Sequence, residues 1–249
     1  VLKVSNELYF KIKELNPKFL NMTNYVDPVT GNIRYIISSS ARGFKDLFKK
    51  NSNLYLGVII SFLKERYPIL FSDVETVKPK IIGSSYVEKI LTHADILNLL
   101  YDERLKHHYV SVKFICDRGV SHEIVRHRIS SFSQESTRYC NYGKSKYYSN
   151  ISMIDPLFYK GGLKRFIWWF SSKVSELSYM ILTKWLKSTP QEARSVLNNS
   201  LKTEIIMTTN IENWTHFLNL RNHKGSHPQM IEVAEMLETE FVKKEYILR

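Results

Sequence analysis

Residues 107–115 limit more than any other segment how this chain can fold. Tyr109, Ser111, Lys113 and Ile115 alternate there with His108, Val110, Val112 and Phe114. A two-residue period with β-branched and aromatic members predicts a strand with one face on a core. Asp117 follows as a helix N-cap, predicting a helix from there to about residue 128. No βα unit repeats along the chain, which points away from a parallel α/β sheet.

Residues 7–14 alternate loosely and read as a short strand, and 32–37 as a second one after the turn signal Pro28-Val29-Thr30-Gly31-Asn32. Helices are predicted over 41–50, over 54–66 where Pro68 closes the segment, and over 87–100, with a loop at 72–84. A long helical stretch covers 157–187, with a break near Gly161-Gly162, and a short one covers 192–197. Residues 203–209 read as a strand, Asn210 as the N-cap of a helix reaching Leu220, and a last helix follows Pro228. Residues 129–150 are rich in Ser, Tyr and Asn and exceed an ordinary connection, so they are expected to bind something. The expected fold is α+β, with helices packed around a small, mainly antiparallel sheet.

Composition narrows the partners. The net charge is +12, from 36 Lys and Arg against 24 Asp and Glu, which favours nucleic acid, acidic membrane or several phosphorylated small molecules. Cys116 and Cys140 are the two cysteines, too few for a disulfide framework and without a CxxC pair. The apolar stretches 54–63 and 166–170 fall short of the ~20 residues of a membrane span, and no signal pattern opens the chain. A soluble, cytoplasmic protein is expected.

His122-Glu123-Ile124-Val125-Arg126-His127 resembles the zinc motif HExxH with one residue too many. Histidines five apart lie about 140° apart on a helix and do not share a metal, so no metal site is expected. Glu123 and His127, four apart, do share a face, with Arg126 beside them. Arg126-His127-Arg128 then stands where the helix ends, which suits an anionic ligand or simple complementation of the helix dipole. Ser136 and Arg138, two apart in an extended segment, place a hydroxyl and a guanidinium on one side, enough to grip a phosphate. Gln134 points the same way with a donor and an acceptor.

The combination is more specific than its parts. Arg126-His127-Arg128, seven residues, then Ser136 resembles the RHR-x7-S signature of flavin-dependent thymidylate synthases, the ThyX family. The flanks 116–123 and Gln134-Glu135-Ser136-Thr137-Arg138-Tyr139 agree, as do Glu192-Ala193-Arg194, Asn210, Phe217-Leu218-Asn219-Leu220-Arg221 and His227-Pro228-Gln229. The resemblance covers 105–235 well and 1–100 loosely, and implies a single domain over 1–249. Tyr101-Asp102-Glu103 and Lys106 depart from it where relatives carry His and Glu, and Glu212 stands where some carry an arginine.

The resemblance implies reductive methylation of dUMP to dTMP, with 5,10-methylenetetrahydrofolate as carbon donor, FAD as hydride carrier and NADPH as reductant. Arg126, His127, Arg128, Ile129 and Gln134 would contact FAD, joined by Asn210, His216 and His227. The dUMP site would draw on Glu123, Arg126, Gln134, Glu135 and Ser136, with Thr137, Arg138 and Arg194. Arg221 would sit against the uracil as the catalytic residue, a fixed cation easing negative charge on the ring. No cysteine nucleophile is implied, and Cys140 is expected to be a bystander. The family assembles its sites in a homotetramer, and neither nucleic acid nor membrane is an expected partner. Two rivals are a non-methylating flavoprotein reductase, which could dispense with Ser136, Arg138 and Arg221, and a basic nucleic-acid-binding protein stacking bases on the tyrosines of 139–148.

Overall fold

The computed structural model describes residues 1–75, 86–143 and 150–247, in two compact units, Val1–His108 and Tyr109–Arg249. The first unit runs β1 (Leu2–Val4), α1 (Asn6–Lys13), β2 (Asn21–Val26), β3 (Ile33–Ser38), α2 (Ala41–Asn51), α3 (Leu54–Arg66), β4 (Val87–Ile90), α4 (His93–Leu97) and α5 (Tyr101–His107). Its strands form an antiparallel sheet in the order β2-β3-β1-β4. Leu2, Val4 and Ile37 bury one sheet face together with Leu8, Tyr9 and Ile12 of α1 and Leu56, Ile59 and Ile60 of α3. At the β2–β3 turn the Asp27 carboxylate accepts from the amides of Val29 and Thr30, and Gly31 supplies the positive φ of 68° that a side chain would strain.

Two expectations are overturned in this unit. Residues 7–14 belong to a helix, because Ser5 caps it by accepting from the Leu8 amide, and Leu8, Tyr9 and Ile12 are buried at helical spacing. The apparent strand alternation through Phe10 fails, since Phe10 is exposed. Residues 87–100 are not one helix. Val87–Ile90 pairs antiparallel with β1, and Thr92 and Asp95 then form a capping box that starts α4 afresh. Part of the expected loop over 72–84 lies outside the described residues.

The second unit contains β5 (Tyr109–Asp117), α6 (Arg118–Ile124), β6 (Ser131–Gln134), α7 (Gly162–Met180) continuing as a π-helical turn (Ile181–Trp185), α8 (Pro190–Ala193) with a 3-10 turn (Arg194–Val196), β7 (Lys202–Asn210), α9 (Ile211–Arg221) and α10 (Pro228–Lys243). Its sheet is antiparallel with β7 in the centre, order β5-β7-β6. The expected alternation in β5 is observed: Tyr109, Ser111, Lys113 and Ile115 are exposed, while Phe114 and Cys116 are buried. Gly161 and Gly162, at φ 142° and 70°, set the start of α7 where a break was expected. Two readings shorten. The helix expected to reach residue 128 stops at Ile124, and the loop expected over 129–150 contains β6, a polar run held as a strand only by pairing with β7. Both units are α+β, as expected, with two antiparallel sheets rather than one. Among the described residues, no helix is long and apolar enough to cross a membrane.

Candidate functional site

The β5–β7 ladder sets the geometry of the site. It joins nine residue pairs, from Tyr109↔Asn210 at one end to Asp117↔Lys202 at the other. Each strand runs directly into a helix: the Asp117 carboxylate accepts from the Val120 amide to start α6, and Asn210 Oδ1 accepts from the Asn213 amide to start α9. The two caps lie at opposite ends of a ladder about 27 Å long. The seven residues of α6 and eleven of α9 span about 10 and 16 Å. Running toward one another along the sheet, the helices meet C-terminus to C-terminus.

At that meeting point Arg221, the last residue of α9, reaches α6. Its Nη1 donates to Glu123 Oε2 at 2.7 Å, its Nη2 to the Glu123 carbonyl at 3.1 Å, and its Nε to His127 Nε2 at 3.0 Å. That carbonyl also accepts from the Arg126 amide at 3.2 Å, so the guanidinium adds a second donor at the end of α6. His127 packs at 4.7 Å from the Phe217 ring and edge-on to His216 at 6.4 Å, both on α9. Burial, then the Arg221 charge and His216, lower the His127 pKa to about 4. Glu123 and Arg221, expected at the nucleotide, and His127, expected at the flavin, are therefore joined through one guanidinium.

The other expected residues divide into exposed and engaged ones. Arg126, Arg128, Arg138 and Arg194 are exposed, and none has a carboxylate partner among the described residues. Arg138 lies over the Tyr139 ring at 5.4 Å, and its amide donates to Ser136 Oγ. The Gln134 side chain is turned inward: Nε2 donates to Ser121 Oγ at 2.9 Å, which leaves only its oxygen for a ligand. Glu135 is pinned through its amide to the Glu204 carbonyl, and Thr137 is buried. Ile129 is exposed, but its carbonyl accepts from Thr209 Oγ1. Asn210 is buried as a cap, and His227 sits edge-on to Phe158 at 5.7 Å. Cys116 is buried, and burial and Asp117 push its thiol up to about 12, so it stays protonated.

Residues 76–245 match the family model described as thymidylate synthase complementing protein, more than half of the chain. The chain belongs to this family. Among curated relatives, the flavin-dependent thymidylate synthase of Thermococcus onnurineus is 27% identical over 175 residues, covering 70% of this chain and 64% of its own length. That of Pyrococcus furiosus is 27% identical over 176 residues, covering 71% and 66%. The chain thus spans just under two thirds of the Thermococcus relative. A looser likeness, with a TM-score of 0.44 and 19% identity over 55% of this chain and 68% of the other, is to thymidylate synthase X of Helicobacter pylori, solved with FAD and dUMP.

The chain also engages residues to which the sequence assigned no role. Ser121 and Thr203 hold the Gln134 amide, and Lys202 joins Glu135 at 3.6 Å to Glu204 at 2.7 Å. Lys113 completes that chain on Glu204, whose carboxyl the two lysines hold down to about 2. The signal lay in the alternation: Lys202 and Glu204 are two apart on β7, and Lys113, paired with Ile206, is the diagonal neighbour of Glu204 across β5.

Proposed function

We propose that this chain is a flavin-dependent thymidylate synthase, converting dUMP to dTMP with 5,10-methylenetetrahydrofolate as carbon donor, FAD as hydride carrier and NADPH as reductant. The observation that carries this reading is the guanidinium of Arg221, fixed by Glu123 and His127, in a chain that also exposes several arginines without carboxylate partners. Arg126, Arg128, Arg138 and Arg194 are exposed and take no carboxylate among the described residues. Such groups suit phosphorylated ligands, and so fit both the cofactor and the nucleotide. Bound flavin, once reduced by NADPH, would supply the hydride that completes the methyl group.

The chain's own residues do the rest. Ser136, Arg138 and Arg194 grip the nucleotide phosphate, with the Glu135 and Thr137 segment as backbone support. Arg126 and Arg128 neutralise the cofactor pyrophosphate, while Asn210, His216 and His227 line its ring side. Arg221 faces the uracil, where a cation already fixed in place lowers the cost of negative charge as C5 attacks the one-carbon unit.

The reading includes a homotetramer. Leu163, Ile167, Phe170, Val174 and Leu177, three and four residues apart on α7, are 46–73% exposed. That spacing is an a/d seam, opposite the buried Ser172, Ser175 and Tyr179. An apolar stripe of this kind favours a second copy as its cover.

The purified chain with added FAD is expected to take up the flavin and show its visible absorbance; a chain that stays colourless overturns the reading. Arg221→Ala is expected to keep the flavin and to lose about 100-fold or more of thymidylate formation. Unchanged turnover would remove Arg221 from the chemistry.

A further inference from the structure

We propose that Glu123 and His127 are positioning residues that lock the plane of Arg221 and leave two of its N–H groups for the ligand. This rests on the proposed function, in which both residues would otherwise be ligand contacts in their own right. A guanidinium has five N–H donors in a rigid fork. Three are spent: Nε–H on His127 Nε2, one Nη1–H on Glu123 Oε2 and one Nη2–H on the Glu123 carbonyl. The two that remain are one on each terminal nitrogen, held in the guanidinium plane.

The Nε contact fixes the chemistry of His127. Arg221 Nε can only donate, so His127 Nε2 must accept, and the ring proton resides on Nδ1. A protonated imidazole would place two donors face to face and break the lock. Arg221, His216 and Phe217 of α9 pack against His127, with Glu123 of α6 bonded to the same guanidinium, and burial, then the Arg221 charge and His216, keep the ring neutral. Glu123 contributes twice, through a carboxylate that pairs the half-buried cation and through a backbone carbonyl that no substitution removes. The nucleotide therefore meets an arginine whose torsions are already set, and little ordering is left for the moment of reaction.

Histidine-selective 15N labelling of the full chain tests the lock without any ligand. The His127 signal is assigned by its loss in His127→Gln. The expected spectrum at pH 7 is the Nδ1-protonated neutral tautomer, persisting to about pH 5. An Nε2-protonated ring, or titration at the ordinary histidine value, overturns the proposal. Kinetics test its purpose. Glu123→Gln keeps an acceptor for Nη1 and is expected to stay within about threefold of wild-type kcat, whereas Glu123→Ala loses about 10- to 100-fold. Equal loss in both variants, or none in either, overturns the positioning role. A wild-type chain with the expected tautomer that makes no thymidylate overturns the proposed function and the catalytic purpose of the lock, while the lock itself stands.

Discussion

His107 has no exposed surface, and its ring nitrogens meet Thr23 Oγ1 at 2.8 Å and Ser38 Oγ at 2.7 Å. Two hydroxyls satisfy a neutral imidazole, one as donor and one as acceptor, but offer no negative charge to a protonated one. Burial accordingly lowers its pKa to about 3. A histidine depressed in the fold stays neutral there while the unfolded chain takes up a proton, so its stabilising contribution is complete above about pH 6.5 and shrinks as the pH falls toward 3. His127 works in the same direction. Between pH 6.5 and 5 the carboxylates remain largely ionised, so the histidines dominate this window. The urea midpoint of the chain is expected to drop on going from pH 7 to pH 5, and to drop less in His107→Gln. A pH-independent midpoint over that window would contradict the buried neutral ring.

Caps decide where the elements begin, and they are the features that can be read most directly from the sequence. Asn210 is wholly buried, and its Oδ1 accepts from both the amide and the side chain of Asn213. Asn210→Ala is therefore expected to cost about 1–2 kcal/mol, measurable as a lower unfolding midpoint with an unchanged denaturant slope. Asp117 and Asn210 are recognisable because each short polar side chain follows an alternating strand directly. The α3 boundaries are legible for a similar reason, with Asn53 before the helix and Pro68 after it. The elements that escape the sequence are those created by pairing. β1 has three residues, β6 is Ser-Phe-Ser-Gln, and β4 mimics the start of a helix, so each owes its form to a neighbouring strand rather than to its own pattern. The same division holds at the candidate site. Spacing put Glu123 and His127 on one face and the family resemblance singled out Arg221, but that the three bond one another follows from the meeting of two helices, which no local pattern encodes.

At the scale of the assembled molecule, α7 presents the clearest surface. Leu163, Phe166, Ile167, Phe170 and Leu177 lie more than half exposed on a helix whose other face is buried. If a second copy covers this stripe, Phe170→Lys should place a charge inside the contact and shift the sedimentation coefficient toward the monomer, while the monomer fold persists by circular dichroism. A wild-type chain that sediments as a monomer at all concentrations, or a variant whose assembly is unchanged, would exclude α7 as the seam. The net charge of +12 acts at this scale too, keeping copies of the chain apart in solution and favouring anionic partners in general. The opposed helices on the β5–β7 ladder impose one further condition, on insertions and deletions. The ladder works as a ruler: α6 grows from one end and α9 from the other, and together they fill it. An extra turn in either helix would drive the two ends into collision, and a missing one would part Glu123 from Arg221. A single inserted residue would swing Arg221 about 100° away from its partners. Length changes tolerated among homologous chains should therefore fall in the loops beyond Asn222, or come as compensating changes in which one helix gains what the other loses.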